Sequence, residues 1–255
     1  MVVFNNGKKL ISLLFWLLVM IKAVLFDLDN TLIDFMVMKR GCIEAAVSAM
    51  IKAGLKLPKK KALRILYSLY DRYGIEYSKI FQKFLEQTNS KIDYKILAAG
   101  IVAYRKAQPE FMRPYKKAVP TLQKLKRKGL KLAIVSDAPR LKAWMRLTEL
   151  KIRKYFDVVV AHGDVSERKP SKMPFRKALA SLKKLKSLKS LKHLKPEEVL
   201  MVGDWPARDV VGAKRLGIKT CFARYGYQFN KGIPKRGKSG ADFEINSVDE
   251  ILRIV

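Results

Sequence analysis

The feature that most constrains the fold of this chain is a repeated alternation of short apolar runs with helical stretches. The runs are rich in valine and isoleucine, and each ends in a polar or glycine-containing turn. They are Ile21 to Phe26, Leu130 to Val135, Phe156 to Val160, Val199 to Val202 and Lys219 to Phe222. Continuous apolar runs that alternate with helices are typical of parallel strands buried on both faces. The sequence therefore predicts an α/β fold with a doubly wound, Rossmann-like parallel sheet.

A long segment between the first two runs lacks strand-like patterns. Over residues 35–108 the apolar residues recur at helical spacing instead. Pro109 and Pro114 follow, and a residue that precedes proline is disfavoured in a helix. We therefore expect an α-helical cap domain over 35–108, inserted into a core domain formed by 20–34 and 109–255.

The N-terminus carries a separate apolar run. Every residue from Leu10 to Ile21 except Ser12 is apolar, and two lysines precede the run, as in a secretory signal or membrane anchor. No small-residue cleavage site follows, however, and a spanning helix of about 20 residues would consume the first strand. We expect no stable membrane span and interpret residues 1–19 as a hydrophobic extension that arises from an upstream start codon, with translation beginning at Met20. The alternatives are an interfacial anchor and a disordered hydrophobic tail.

The charge balance favours anionic partners. The chain has 53 Lys and Arg against 22 Asp and Glu, a net charge of +31. Such a field attracts phosphate esters, nucleic acids and acidic lipids alike, so nucleic-acid binding would be non-specific. Two histidines and two cysteines leave little material for multi-histidine metal sites or a disulfide framework. We expect a reducing, cytoplasmic setting and chemistry carried by carboxylates.

The strongest candidate for that chemistry is the pair Asp27 and Asp29, directly after the first run. In an open parallel sheet, ligands bind at the carboxyl ends of the strands. Two carboxylates in one such loop can divide the work of phosphoryl transfer, one attacking phosphorus and the other acting as acid and then base. The alternative is an Asp-rich turn that caps a helix.

Two weaker signals follow the next runs. Ser136 and Asp137 end the second run, where a hydroxyl and backbone amides could hold a phosphoryl oxygen, although serine there is often a helix cap. Lys169 lies in a basic loop beyond the third run and could neutralise the attacking carboxylate and the phosphoryl group. Arg168 is the rival for that role, and a lone lysine is usually solvated.

The fourth signal is an apolar run that leads straight into Gly203 and Asp204, with Asp209 five positions later. Packing does not explain this arrangement. Carboxylate oxygens that converge at a strand end suit Mg²⁺, which prefers oxygen ligands. The alternative for Asp209 is a charge favoured by the dipole at a helix N-terminus.

Taken together, these four signals, each after its own strand and in this order, resemble the haloacid dehalogenase superfamily. The resemblance covers about residues 20–255, and the helical insert has the position of that superfamily's C1-type cap. One departure is Pro114-Tyr115-Lys116-Lys117, where related members often read Pro-Tyr-Pro-Gly. That difference concerns the shape of a loop and not the chemistry.

The resemblance implies roles for the residues of the first and fourth signals. Asp27 would be the nucleophile and a Mg²⁺ ligand. Asp29 would be the general acid and base and would offer its backbone carbonyl to the metal. Asp204 would complete the protein ligands, with Thr31 and Asp209 supporting the site from behind.

The resemblance also implies that Ser136, Asp137 and Lys169 bind the phosphoryl group. The implied function is a Mg²⁺-dependent phosphatase that acts on a small phosphorylated metabolite, such as a triose phosphate or phosphoglycolate, through an aspartyl-phosphate. A phosphomutase or a dehalogenase of the same superfamily is the alternative, although a dehalogenase has no need of an acid at Asp29. A non-catalytic, basic nucleic-acid-binding protein on this fold is another.

Two further sequence features have no assigned role. Leucines recur every third position among lysines over residues 179–195, a period that does not form one helical face. We interpret this stretch as a solvated helix with some buried leucines, or else as a basic surface for nucleic acid or membrane. Candidate substrate contacts in the cap are Lys39, Arg40, Arg64, Tyr67 and Arg72.

Overall fold

The structure is a computed structural model that describes residues 20–185, 192–228 and 232–255. The chain divides into two compact units. One is a helical unit, Ile33–Pro114, and the other is a core unit formed by the residues up to Leu32 together with Tyr115–Val255. The N-terminal extension and the middle of the leucine and lysine repeat lie outside the described residues.

The core unit is built on one parallel sheet. Its strands are β1 Ala23–Phe26, β2 Lys131–Pro139, β3 Val158–His162, β4 Val199–Gly203, β5 Lys219–Ala223 and β6 Phe243–Ile245. Their order is β3-β2-β1-β4-β5-β6, and every neighbouring pair is parallel. Parallel strands need crossover connections, and helices supply them here. The predicted doubly wound α/β fold is confirmed.

Helices connect the strands and form the other unit. They are α1 Phe35–Lys52, α2 Lys59–Tyr73, α3 Ile80–Asn89, α4 Tyr94–Phe111, α5 Ala118–Arg127, α6 Arg140–Glu149, α7 Lys172–Lys183 and α8 Asp209–Lys214. Helices α7 and α8 cover one face of the sheet, where Phe175 and Ala213 pack with strand residues such as Leu25. None of the helices in the described residues is both long and apolar enough to span a membrane.

The sixth strand was not predicted, because three residues at a sheet edge leave no readable pattern. Strand β6 depends on a contact that is distant in sequence. Asp242 Oδ2 accepts hydrogen bonds from the backbone nitrogen and the hydroxyl of Thr220, both at 2.8 Å. This pair joins the segment before β6 to β5.

The described part of the leucine and lysine repeat contributes to the core. Leu182 and Leu194 are buried against the sheet, and Leu179 and Leu185 pack partly against the same cluster. Helix α7 ends at Lys183, before the repeat is complete. The described leucines therefore serve packing, while the described lysines of the repeat are exposed.

The helical unit has its own core. Helices α1 and α4 pack closely, since a Cβ at Gly100 would lie 2.1 Å from the Met50 side chain. Helix α4 runs through Pro109 to Phe111, where the sequence indicated a break. The Phe111 ring explains this continuation, because it packs over Gly41 so tightly that a Cβ there would lie 2.6 Å from it. Tertiary packing thus outweighs the local cost of proline in the last turn.

Candidate active site

The predicted site residues of the core unit meet at the carboxyl edge of its sheet. Asp27 directly follows β1 and donates its backbone N–H to the Val202 carbonyl of β4 at 2.9 Å. Ser136 lies in β2, and Asp204 directly follows β4. Because β2, β1 and β4 are neighbours in the sheet, residues far apart in sequence are brought to one place.

A buried acidic cluster forms the centre of this edge. One carboxylate oxygen from each of Asp27, Asp204 and Asp209 lies within 4.8 Å of the others, and all three side chains are buried. Lys169 Nζ lies 2.6 Å from Asp27 Oδ1 and 2.6 Å from Asp209 Oδ1. When all four groups are ionised, the three carboxylates exceed the one ammonium by two negative charges. Arg168, the predicted rival of Lys169, is exposed.

Burial makes this cluster electrostatically costly. Burial raises the pKa of Asp27 to about 7, although Lys169 opposes the shift. Burial also raises the pKa of Asp204 well above its ordinary value, and the charges of Asp27 and Asp209 add to this. For Lys169, burial lowers the pKa, but the attraction of Asp209 and Asp27 outweighs it and the pKa lies above its ordinary value. A divalent cation would offset the two excess charges, and the all-oxygen donor set fits Mg²⁺.

Asp209 holds the cluster together from the start of α8. Its Oδ1 accepts a hydrogen bond from Lys169, and its Oδ2 accepts one from the backbone nitrogen of Trp205 at 2.9 Å. Gly203 makes this arrangement possible, because a Cβ there would lie 2.2 Å from Asp209 Oδ2. Both oxygens are thus engaged in positioning Lys169 and the loop that carries Asp204.

Thr31 supports the cluster from the loop after β1. It is fully buried, and its hydroxyl donates to Asp204 Oδ1 at 3.4 Å. The Tyr225 hydroxyl donates to the Thr31 carbonyl at 2.7 Å. A Cβ at Gly226 would lie 1.7 Å from the Asn30 carbonyl oxygen, so this position requires glycine. Sequence reasoning missed Tyr225 and Gly226, although a glycine turn after the fifth apolar run is a signal that could have found them.

Ser136 and Asp137 differ in what they present to the site. Ser136 is buried, and its hydroxyl oxygen accepts a hydrogen bond from the Ala138 nitrogen at 3.2 Å. Asp137 accepts from the Lys169 backbone nitrogen at 3.0 Å and from Arg208 Nη1 at 2.8 Å. Its carboxylate therefore ties two loops together and, being an anion, would repel a phosphate. Only its backbone N–H can serve the predicted phosphate-binding role.

Asp29 forms an ion pair that the sequence did not predict. Arg146 of α6 donates from Nη1 to Asp29 Oδ2 at 2.5 Å. The Arg146 side chain is 6% exposed and that of Asp29 is 21% exposed. No motif marks Arg146, because its contribution depends on how α6 packs against the sheet.

The predicted substrate contacts of the helical unit fall into two groups. Arg40, Arg64 and Arg72 are exposed and Tyr67 is half-buried. Lys39 differs, because it is buried with its Nζ 3.1 Å from the Tyr104 hydroxyl and 4.8 Å from the centre of the Tyr70 ring. Their contact with a substrate stays a prediction.

Comparison with known proteins supports the family that the sequence resembles. Residues 24–223 match the model of the haloacid dehalogenase-like hydrolase family. A glyceraldehyde 3-phosphate phosphatase from Methanopyrus kandleri is 32% identical over 92% of this chain and 97% of its own length. A second, from Methanocaldococcus jannaschii, is 33% identical over the same shares of the two chains.

The fold also matches a solved structure. The crystal structure of a HAD phosphatase from Thermococcus onnurineus aligns with a TM-score of 0.61 and 24% identity, over 92% of this chain and 97% of that one. At this identity the likeness shows a shared fold. The match of the family model over most of the chain, with relatives above 30% identity along nearly its whole length, is decisive: the chain belongs to the haloacid dehalogenase-like hydrolase family.

Proposed function

We propose that this chain is a Mg²⁺-dependent phosphatase that hydrolyses a small phosphorylated metabolite through an aspartyl-phosphate on Asp27. The observation that carries the proposal is the buried cluster of Asp27, Asp204 and Asp209 around Lys169. A cluster with excess negative charge at a ligand-binding sheet edge costs stability and has no packing role. Phosphoryl transfer assisted by a bound cation would give this acidic cluster a function.

In the first half-reaction, the carboxylate of Asp27 attacks phosphorus. The bond between phosphorus and the leaving oxygen breaks as Asp29 donates a proton to that oxygen. The Ser136 hydroxyl and the Asp137 backbone N–H bind phosphoryl oxygens, and Lys169 reduces the repulsion between the two anions. The products are a free alcohol and an acyl phosphate on Asp27.

In the second half-reaction, water attacks the phosphorus of the acyl phosphate. Asp29, now a carboxylate, takes a proton from this water, and the bond between phosphorus and the Asp27 oxygen breaks. Inorganic phosphate leaves and both aspartates return to their starting state. The sum is the hydrolysis of one phosphate monoester.

The residues that would hold Mg²⁺ are Asp27, Asp204 and the backbone carbonyl of Asp29. A cation there would supply charge neutralisation between the attacking carboxylate and the phosphate. Thr31 and Asp209 keep the ligands in place through their contacts with Asp204 and Lys169.

The proposed substrate class is a triose phosphate. Its support is that two relatives, which match almost the whole chain, are glyceraldehyde 3-phosphate phosphatases. The net charge of +31 favours an anionic substrate but does not distinguish a triose phosphate from phosphoglycolate or a nucleic acid.

The test is release of inorganic phosphate from a panel of phosphate esters, with Mg²⁺ and with a chelator. We expect turnover only with Mg²⁺, and a loss of at least about a thousandfold in Asp27→Asn. The matched control is Asp157→Asn, which removes an aspartate at the opposite edge of the sheet and should retain activity.

Two results would replace the proposal. Halide release from haloacids without phosphatase activity would indicate a dehalogenase. Absence of turnover across the panel, with tight RNA binding at physiological salt, would indicate a nucleic-acid-binding protein on this fold.

A further inference from the structure

We propose that Arg146 is a positioning residue that orients the Asp29 carboxylate for proton transfer to the leaving group. The inference rests on the proposed function, because it assigns Arg146 a part in the same reaction. Arg146 does not itself touch the reacting atoms; it acts through Asp29.

The placement of Arg146 is costly unless its charge has a use. Taking a guanidinium out of water costs several kcal/mol, and only a well-placed partner compensates for it. Arg146 is buried on the face of α6 that also buries Ala143 and Leu147, and it meets Asp29 there. Arg140 of the same helix shows the cheaper arrangement, an ion pair with Asp164 in which the arginine side chain is 60% exposed.

The helix geometry explains how Arg146 reaches the site. Helix α6 begins at Arg140, just after the β2 segment that carries Ser136 and Asp137. Side chains on a helix lean toward its N-terminus, so a long side chain in the second turn extends back toward that end. The guanidinium of Arg146 is therefore delivered to the carboxyl edge of the sheet by the packing of α6.

The contact fixes one of the two oxygens of Asp29. With Oδ2 held by Arg146 Nη1, the carboxyl group of Asp29 is anchored on one side, which restricts its rotation. As Asp29 gives its proton to the leaving oxygen, negative charge develops on a carboxylate that already faces a fixed cation. Charges placed in advance where charge develops stabilise a transition state without further reorganisation.

This role predicts a dependence on the leaving group. An alkoxide is a poor leaving group and needs the proton from Asp29, whereas para-nitrophenolate leaves with little help. Loss of Arg146 should therefore slow the cleavage of an alkyl phosphate more than that of an aryl phosphate. A purely structural role would slow both equally.

The experiment compares kcat/KM for glycerol phosphate and para-nitrophenyl phosphate, both with Mg²⁺, in Arg146→Gln and Arg146→Lys. This ratio reports the steps up to formation of the acyl phosphate and excludes its hydrolysis. For Arg146→Gln we expect a loss of about 10- to 100-fold on glycerol phosphate and less than about threefold on para-nitrophenyl phosphate. Arg146→Lys should recover part of the loss, and Asp29→Asn should show the same preference more strongly.

Activity on the aryl substrate also reports whether each variant folds. If Arg146→Gln does not fold, Arg146→Lys still allows the test. Arg140→Gln is the matched control and should leave both substrates unaffected. Equal losses on both substrates, or no loss on either, would overturn the role of Arg146 alone. Absence of turnover in the unaltered protein would overturn the proposed function and this inference with it.

Discussion

The core sheet treats buried carboxylates differently at its amino edge, where the parallel strands begin, and at its carboxyl edge, where they end. At the amino edge, Asp157 accepts hydrogen bonds from Lys126 Nζ at 2.8 Å and from the Leu132 nitrogen at 3.0 Å. Burial opposes ionisation there, but these bonds outweigh it and hold the pKa of Asp157 below its ordinary value. At the carboxyl edge, burial raises the pKa of Asp27 to about 7 even with Lys169 beside it.

The difference separates stability from function within one sheet. Asp157 faces two lysines and a backbone donor, so its ionised form is more stable in the folded than in the unfolded chain. Asp27 shares Lys169 with Asp209 and lies close to Asp204. Its ionised form is therefore less stable in the folded than in the unfolded chain. The amino edge is therefore arranged as folding alone would favour, and the carboxyl edge is arranged for a ligand.

The largest expected effect comes from removing one lysine at each edge. Lys169→Gln leaves the buried carboxylates without their cation, so we expect the free energy of unfolding to fall by about 3 to 5 kcal/mol and the phosphatase activity to be lost. Lys126→Gln weakens a partly exposed pair and should cost less than about 1 kcal/mol with activity unchanged. Urea unfolding in chelator and phosphate release measure both. Equal costs at the two edges would remove the distinction.

Stabilisation by Mg²⁺ tests the carboxyl edge directly. At a Mg²⁺ concentration of about 100 times its Kd, the metal should stabilise the protein by about 2.7 kcal/mol. Asp204→Asn should abolish this gain, yet be as stable as the unaltered protein in chelator, because it relieves repulsion with Asp27 and Asp209. Asp157→Asn should keep the gain. Thermal unfolding with and without Mg²⁺ measures the gain in stability. A gain that persists in Asp204→Asn would exclude Asp204 as a ligand.

The smallest effect is a pH dependence at the amino edge. Because the folded-state pKa of Asp157 is lowered, its stabilisation is fully present above the unfolded-state pKa and is lost as the pH falls through the folded-state pKa. The unaltered protein should exceed Asp157→Asn by about 1 kcal/mol at neutral pH and match it in acid. Urea midpoints measured from about pH 7 down to about pH 2 follow the difference, which should begin to narrow near about pH 4 and close only below the folded-state pKa. A gap that stays the same size across this range would show that the carboxylate charge is irrelevant.

Most of the fold could be predicted from the sequence because buried parallel strands leave continuous apolar runs. The run before Asp27 is such a case, since each residue of β1 is fully buried. The predictions failed where structure depends on distant contacts. Strand β6 needs Asp242 to bind Thr220, and the end of α4 needs Phe111 to pack on Gly41. Neither contact leaves a local pattern.

The site residues also divide into those that the sequence predicts and those that it does not. Asp27, Ser136 and Asp204 could be predicted to meet because parallel strands end at one edge. The residues alone left Lys169 and Arg168 as alternatives, and the resemblance to the family favoured Lys169; the structure buries Lys169 and leaves Arg168 exposed. Arg146 could not be found at all, because a helix places it, and the resemblance to a family names only the residues of its motifs.

The central position of β1 has a consequence for synthesis of the chain. Ala23 pairs with Lys131 on one side and with Val199 on the other, so β1 gains one neighbour from the second strand but the other only from the fourth. Pairings so distant in sequence are slow to form and leave strand edges exposed in the meantime. A nascent chain that has not reached β4 holds Asp27 but lacks Asp204, and it therefore lacks part of the proposed metal site. Pairing of β1 with β4 and assembly of the proposed metal site therefore become one event.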